Sequence, residues 1–265
     1  MAITIVGVAS GVGGISPRSW RRVAGRQVGC VEGNAVKQRF QDKLSQLGRY
    51  MGWQSHFRGN YDVVALAHYE AGLQSARFYT EHLLTAREFE RHDDLLRHAV
   101  GLAKTDGLFL EFGVATGRTI SVIANSHTGP VYGFDSFEGL PESWYGQYQR
   151  GAFARDDLPP VPANVTLVKG WFSDTLPRFL AEHPEPVSFA HIDSDLYSSA
   201  AFVLAQLGDR IRSGAVLLFD EYFNYPGWQL HEHKAFTEFV EGRQLQFRYD
   251  SFLRSSQPVC VVIAD

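Results

Sequence analysis

The residues of this chain that could do chemistry gather at the ends of short apolar runs. Asp193 directly follows the run Val187 to Ile192, and Asp220-Glu221 directly follows Ala215 to Phe219. If the two runs are neighbouring parallel strands, three carboxylates arrive in one small space, where like charges repel strongly. A hard divalent cation with oxygen ligands, Mg²⁺ or similar, resolves that repulsion, which makes Asp193, Asp220 and Glu221 the candidate metal ligands. The bland alternative is that one carboxylate is protonated or turns to solvent. Asp195, in His191-Ile-Asp-Ser-Asp-Leu-Tyr, reads as a cap for the next helix or as outer support for the ion. Past Glu221, an aromatic run with a Pro-Gly turn leads to His231 and His233. Either histidine could act as a proton acceptor at a substrate wall, or both could belong to a packed loop.

A second constellation lies upstream, in Leu108-Phe-Leu-Glu-Phe-Gly-Val-Ala-Thr-Gly. Three apolar residues read as a buried strand. Glu111, Gly113 and Gly117 then form a turn that opens a helix from Arg118. Such a turn lets the backbone approach a ligand, and the bare helix N-terminus supplies N–H donors. Asp135 ends the next strand, where a carboxylate can accept from both ribose hydroxyls of an adenosine cofactor. Gly170, Trp171 and Phe172 follow the third strand and suit the flanks of an adenine, although Trp171 could equally be core. Asp174 reads as the N-cap of the helix after them.

The elements that must position these residues follow an alternating βα pattern. Strands are expected at 108–110, 131–134, 165–169, 187–192 and 215–219, with a closing pair at 246–252 and 259–263 joined by a polar turn as an antiparallel hairpin. The fold class is therefore α/β, a Rossmann-like doubly wound sheet of seven strands with an antiparallel last strand. Ligands of such sheets bind at the carboxyl ends of the strands. Upstream, 61–84 reads as helical, and Thr85 reads as the cap of a helix carrying Phe89, Leu95, Leu96, Ala99 and Leu102. The long connection from Ser136 to Asn164, rich in aromatics, reads as a lid or specificity element. Residues 1–60 read as an N-terminal extension of unknown order, and 61–265 as the catalytic domain with a helical cap. Within the extension, the glycine-rich Ile3 to Gly14 imitates a nucleotide loop without the Lys-Ser/Thr ending of a phosphate loop.

Composition narrows the partners. A chain of 265 residues with 45% hydrophobic and 20% charged residues and a net charge of −4 is globular, and its charge invites neither nucleic acid nor an anionic membrane. No apolar run approaches a bilayer span. Two distant cysteines, Cys30 and Cys260, favour a reducing, cytoplasmic setting over a disulfide scaffold. The composition leaves a small molecule as the expected partner, and a homo-oligomer is compatible with the sequence.

With these residues in view, the chain from Thr85 to Asp265 resembles the class I S-adenosylmethionine-dependent methyltransferases. It most resembles the macrocin O-methyltransferase-like family, which includes antibiotic-sugar O-methyltransferases. The resemblance is carried by Glu111-Phe-Gly-Val-Ala-Thr-Gly, Tyr132-Gly-Phe-Asp-Ser-Phe-Glu-Gly-Leu-Pro, Lys169-Gly-Trp-Phe-Ser-Asp-Thr-Leu, His191-Ile-Asp-Ser-Asp-Leu-Tyr and Phe219-Asp-Glu-Tyr. It implies S-adenosyl-L-methionine contacts at Glu111, Gly113, Gly117 and Asp135. It also implies Mg²⁺ held by Asp193 and by the pair after the next strand, which is Asp-Asp in that family and Asp220-Glu221 here. The expected activity is divalent-metal-assisted O-methylation of a sugar or other small polyhydroxy metabolite, as in secondary metabolism, with Asp193, His231 or His233 taking the proton. The rival readings are a non-catalytic cofactor-binding scaffold or partner subunit, and a dinucleotide-dependent oxidoreductase, whose Gly-x-Gly-x-x-Gly spacing the turn at Gly113 does not match.

Overall fold

The computed structural model describes residues 62–104 and 106–264, together with helical positions at Lys43, Ser45, Leu47 and Gly48. The compact unit that carries the sheet is Gly59–Asp265. The expectations for the glycine-rich Ile3 to Gly14, for Cys30 and for most of the extension lie outside the described residues.

Helix α1 (Val63–Phe78) starts where Asp62 accepts from the Val64 and Ala65 N–H groups, and it runs into a π-helical turn, Tyr79–Leu83. The strands are β1 (Arg87–Phe89), β2 (Leu108–Phe112), β3 (Val131–Asp135), β4 (Val165–Lys169), β5 (Val187–Ile192), β6 (Ile211–Phe219), β7 (Phe247–Leu253) and β8 (Val259–Ile263). The helices among them are α2 (His92–Leu102), α3 (Arg118–Ser126), α4 (Phe172–Glu182), α5 (Tyr197–Leu207) and α6 (Glu232–Arg243). They build one eight-stranded sheet in the order β1-β7-β8-β6-β5-β2-β3-β4. Strand β8 runs antiparallel to both β6 and β7, and the other pairs are parallel. The doubly wound sheet and its reversed last strand are as expected.

Period-two alternation divides each central strand between two apolar layers. Leu108, Leu110, Phe112, Ala190, Ile192, Leu217 and Phe219 pack with α4, α5 and α6, whereas Phe109, Phe189, Val216 and Leu218 pack with α2 and α3. The same alternation turns Glu111 and His191 toward the α2–α3 side, opposite each other in the β2–β5 register.

Three local expectations are corrected. The segment after Thr85 is not the first turn of a helix. Arg87–Phe89 pairs with Ser251–Leu253 of β7 as an eighth strand, and the helix begins only at His92, with Asp93 and Asp94 in its first turn. Three residues are too few to show a periodicity, and the pairing energy comes from a strand remote in sequence. Strand β6 begins at Ile211 rather than Ala215, because Ile211 pairs with Val187 across an irregularity near Gly214, whose φ is +86°. Asp174 is not the cap of α4: Trp171 occupies that position with an extended backbone, and no side chain caps the helix.

No helix among the described residues is long and apolar enough to cross a membrane.

Candidate active site

A cavity of ≈ 300 Å³ opens at the carboxyl ends of β2 to β6. Its wall takes Gly113 and Ala115 from the turn after β2, Asp135 and Ser136 from the end of β3, and Trp171 and Phe172 after β4. Asp193, Ser194 and Asp195 after β5 and Glu221 after β6 complete the acidic side, and Leu140, Pro141 and Phe153 of the long connection cover it. That connection is anchored by rings: Tyr145 stacks on Tyr225 at 5.1 Å and Trp144 meets Tyr225 edge-on at 5.6 Å.

The turn after β2 is shaped by its neighbours. Gly113 has φ +96°, and a Cβ there would stand 1.8 Å from the Asp193 carbonyl oxygen. Glycine is thus demanded by the close passage of the β5 end, which itself donates from Asp193 N–H to the Phe112 carbonyl at 2.9 Å. Asp135 braces the same turn. Its Oδ2 accepts from Val114 N–H at 2.9 Å and Ala115 N–H at 2.8 Å, while Oδ1 accepts from Phe137 N–H at 2.7 Å. Of the six residues expected around an adenosine, Gly113, Asp135 and Trp171 line the cavity. Gly117 instead serves the start of α3, with Pro159 3.0 Å from where its Cβ would be, and Gly170 (φ +140°) faces Thr175. Glu111 is fully buried beneath the cavity and accepts from or shares a proton with His191 Nδ1 at 2.8 Å.

The acids fall into two groups, and the expected trio is divided between them. Asp193, Asp195 and Glu221 each offer a carboxylate oxygen within 4.8 Å of the others. Asp220 turns the other way, to His92 Nε2 at 2.5 Å and His191 Nε2 at 3.4 Å. Asp220 and Glu221 lie in the irregular segment past the end of β6, where one carboxylate goes to the two histidines and the other to Asp193 and Asp195. Asp195 takes the third place from a left-handed backbone (φ +61°), and it does not cap α5, whose N-cap is Leu196.

Electrostatics mark the difference between the groups. Burial, with the charges of Asp220 and other acids, pushes the Asp193 carboxyl well above its ordinary range. Burial and the charges of Asp193 and Asp220 do the same to Glu221. Burial and the charge of Asp220 raise Asp195 to about 7. Burial acts on Asp220 in the same sense, but hydrogen bonds from His191 and His92 outweigh it and hold that carboxyl below its ordinary range. His191 is held well above the usual imidazole range, its burial outweighed by Asp220 and Glu111.

Glu232, the first residue of α6, was not singled out in the sequence. It is fully buried, its Oε1 accepts from Ser194 N–H and its Oε2 from Glu221 N–H, both at 3.1 Å. It therefore ties the loop after β5 to the loop after β6, the two loops that carry the acidic group. Glu232→Ala leaves two buried N–H groups without acceptors, and about 2–4 kcal/mol of stability is expected to be lost in a denaturant titration. Glu232→Gln keeps one acceptor and is expected to fall between that variant and the parent.

Neither expected histidine lines the cavity. His233 is enclosed by Phe78, Tyr222 and Trp228, with ring centroids at 5.6, 5.0 and 4.8 Å, and burial pushes it down to about 4. His231 lies against Tyr225 and Trp144 with a buried Nδ1 that has no partner, and burial lowers its pKa. The aromatic run around them is the signal for packing. Asp195 was visible as half of an Asp-x-Asp pair. Nothing local in the sequence marked Glu232 or His92.

These shifts have a sign that can be measured. Carboxyls raised in the folded state bind protons more tightly there than in the unfolded chain, so their contribution to stability is lost as pH rises through the folded values, about 7 for Asp195 and about 8 for Glu232. His191, raised as well, adds in the same direction, whereas the lowered His127, His231 and His233 act only as pH falls below their unfolded values. Thermal melts of chelator-treated protein are therefore expected to drop steadily from roughly pH 4.5, just above the ordinary carboxyl range, to roughly pH 8. Excess Mg²⁺ is expected to flatten that slope.

Residues 110–222 match the protein family described as a methyltransferase domain. No curated protein matches the chain. Among solved structures, the crystal structure of CalS11, a calicheamicin methyltransferase, is 25% identical with a TM-score of 0.53 and covers 65% of this chain and 77% of that one. The O-methyltransferase NovP is 19% identical with a TM-score of 0.50, over 65% of this chain and 79% of that one, and shares the fold. Fold and family match agree on the class: the sheet with its reversed last strand is that of the class I methyltransferases, and the protein is an enzyme of the methyltransferase kind.

Proposed function

We propose that the protein transfers the methyl group of S-adenosyl-L-methionine to a hydroxyl of a sugar or other small polyhydroxy metabolite, with a divalent cation at the acidic side of the cavity. The observation that carries this reading is a single cavity with the glycine turn, Asp135 and Trp171 along one wall and Asp193, Asp195 and Glu221 along the other. CalS11, at 25% identity, carries the name of a calicheamicin methyltransferase, which agrees with a metabolite acceptor.

The chain's residues fit both groups. For the cation, three carboxylates converge, and Glu221 Oε2 is buried without a partner. Asp193, Asp195 and Glu221 would hold it, a hard oxygen-only set suited to Mg²⁺. When bound, it neutralises the group and lowers the pKa of an acceptor hydroxyl. For the cofactor, the backbone at Gly113 and Ala115, the edge of Asp135 and the faces of Trp171 and Phe172 are the available contacts. When bound, it supplies the electrophilic methyl. The protein's part is alignment: Glu232 fixes both acidic loops, the anchored connection shields the cavity from water, and Asp193 takes the hydroxyl proton on a carboxylate oxygen.

The test is transfer of labelled methyl from S-adenosyl-L-methionine to a panel of vicinal-diol sugars and catechols, with Mg²⁺ and after exhaustive chelation. Methylated product that falls at least about tenfold on chelation is expected. Intact turnover without metal ends the cation part. Cofactor binding with no product from any acceptor points to a non-catalytic scaffold.

A further inference from the structure

The proposal above leaves unused a second cluster, on the other side of the strand tips. His92 is the first residue of α2, His191 lies in β5, and Asp220 follows β6. One ligand atom from each lies within 4.8 Å of the other two. We propose that these three residues form a separate cation site of mixed nitrogen and oxygen donors, which takes a borderline divalent ion such as Zn²⁺ and not Mg²⁺.

The geometry supports this at each donor. Glu111 faces His191 Nδ1 at 2.8 Å from inside the core, so the Nδ1–H is directed to a carboxylate and Nε2 points at Asp220 Oδ1, 3.4 Å away. A carboxylate behind a histidine is the arrangement that orients a metal-binding imidazole and raises its basicity. His92 Nε2 also approaches Asp220 Oδ1, while its Nδ1 accepts from an Arg118 amino group 3.5 Å away, so an ion at Nε2 would take the place of the ring proton there. Two imidazoles and one carboxylate are a donor set for Zn²⁺ and its neighbours, whereas Mg²⁺ seeks oxygen. His191 is inaccessible, but the side chains of His92 and Asp220 are 17% and 19% exposed, which leaves an edge for entry and for a water as a further ligand. A bound ion would tie the start of α2 to the ends of β5 and β6.

The experiment uses the full chain, freed of any histidine tag and of metal. Zn²⁺ is titrated calorimetrically in excess Mg²⁺, and Co²⁺ is followed by its visible absorption as a reporter of nitrogen ligation. One Mg²⁺-resistant Zn²⁺ per chain is expected, weakened at least about tenfold in His92→Ala and unchanged in Asp193→Asn. Should His92→Ala melt out, His92→Gln at the helix start and Glu111→Gln in the core serve instead, each with the same expected loss. Absence of Mg²⁺-resistant binding in the parent chain overturns the proposal, as does loss in Asp193→Asn with none in the histidine variants. Methyl transfer is scored separately, so a failure of the catalytic reading leaves this result legible.

Discussion

Asp193→Asn is expected to lower kcat by about a hundredfold or more while raising the melting temperature of the metal-free protein. The two effects share one cause. Asp193, Asp195 and Glu221 are buried together, and each carries a pKa pushed up by burial and by its neighbours' charges. Replacing one carboxylate with an amide of the same shape removes repulsion from the folded state, so the fold gains. On the proposed mechanism the same change also removes a cation ligand and the acceptor of the hydroxyl proton, so turnover is expected to fall. Binding of S-adenosylhomocysteine is expected to persist, because the turn at Gly113 and the braces from Asp135 do not depend on that charge. A variant that turns over within threefold of the parent would remove the acidic group from the reaction.

Gly113→Ala is expected to cost at least about 4 kcal/mol and to abolish soluble, folded protein at ordinary temperatures. The methyl would meet the backbone oxygen of Asp193 at 1.8 Å, and no rotamer can relieve a clash with a main-chain carbonyl held by its own strand. The left-handed φ of +96° adds a penalty for any side chain. Gly227→Ala separates the two contributions: φ there is +83° but nothing stands within 4 Å of the new methyl, so only about 1–2 kcal/mol is expected. Equal losses in the two variants, measured by denaturant unfolding, would show that conformation rather than the close passage of Asp193 explains Gly113.

Much of the sheet was legible because its strands are buried on both faces and appear as continuous apolar runs. Strands β4, β5 and β8 begin and end where the runs do. The short β1 was not, since three residues gain strand character only by lying against β7. At the site, carboxylates after consecutive strands could be read directly, and Asp193 and Glu221 do line one cavity. The partner of each acid could not be read. Asp220 and Glu221 are neighbours in the chain, yet one carboxylate is given to histidines and the other to the cavity. His231 and His233 carried a chemical type without an address, and only aromatic packing from Phe78, Trp144, Tyr222 and Trp228 assigned them.

What the sequence determined by itself was periodic or sequential: alternating apolar runs, the glycine turn after β2, and acids one residue past the strand ends. Those patterns are local, so backbone sterics and hydrophobic burial alone translate them into elements. Which acids converge, which histidine stands behind which carboxylate, and how Glu232 comes to hold two loops were decided by tertiary structure. Each depends on pairing and packing between segments far apart in the chain, where a side chain's direction is set by register rather than by its neighbours in sequence.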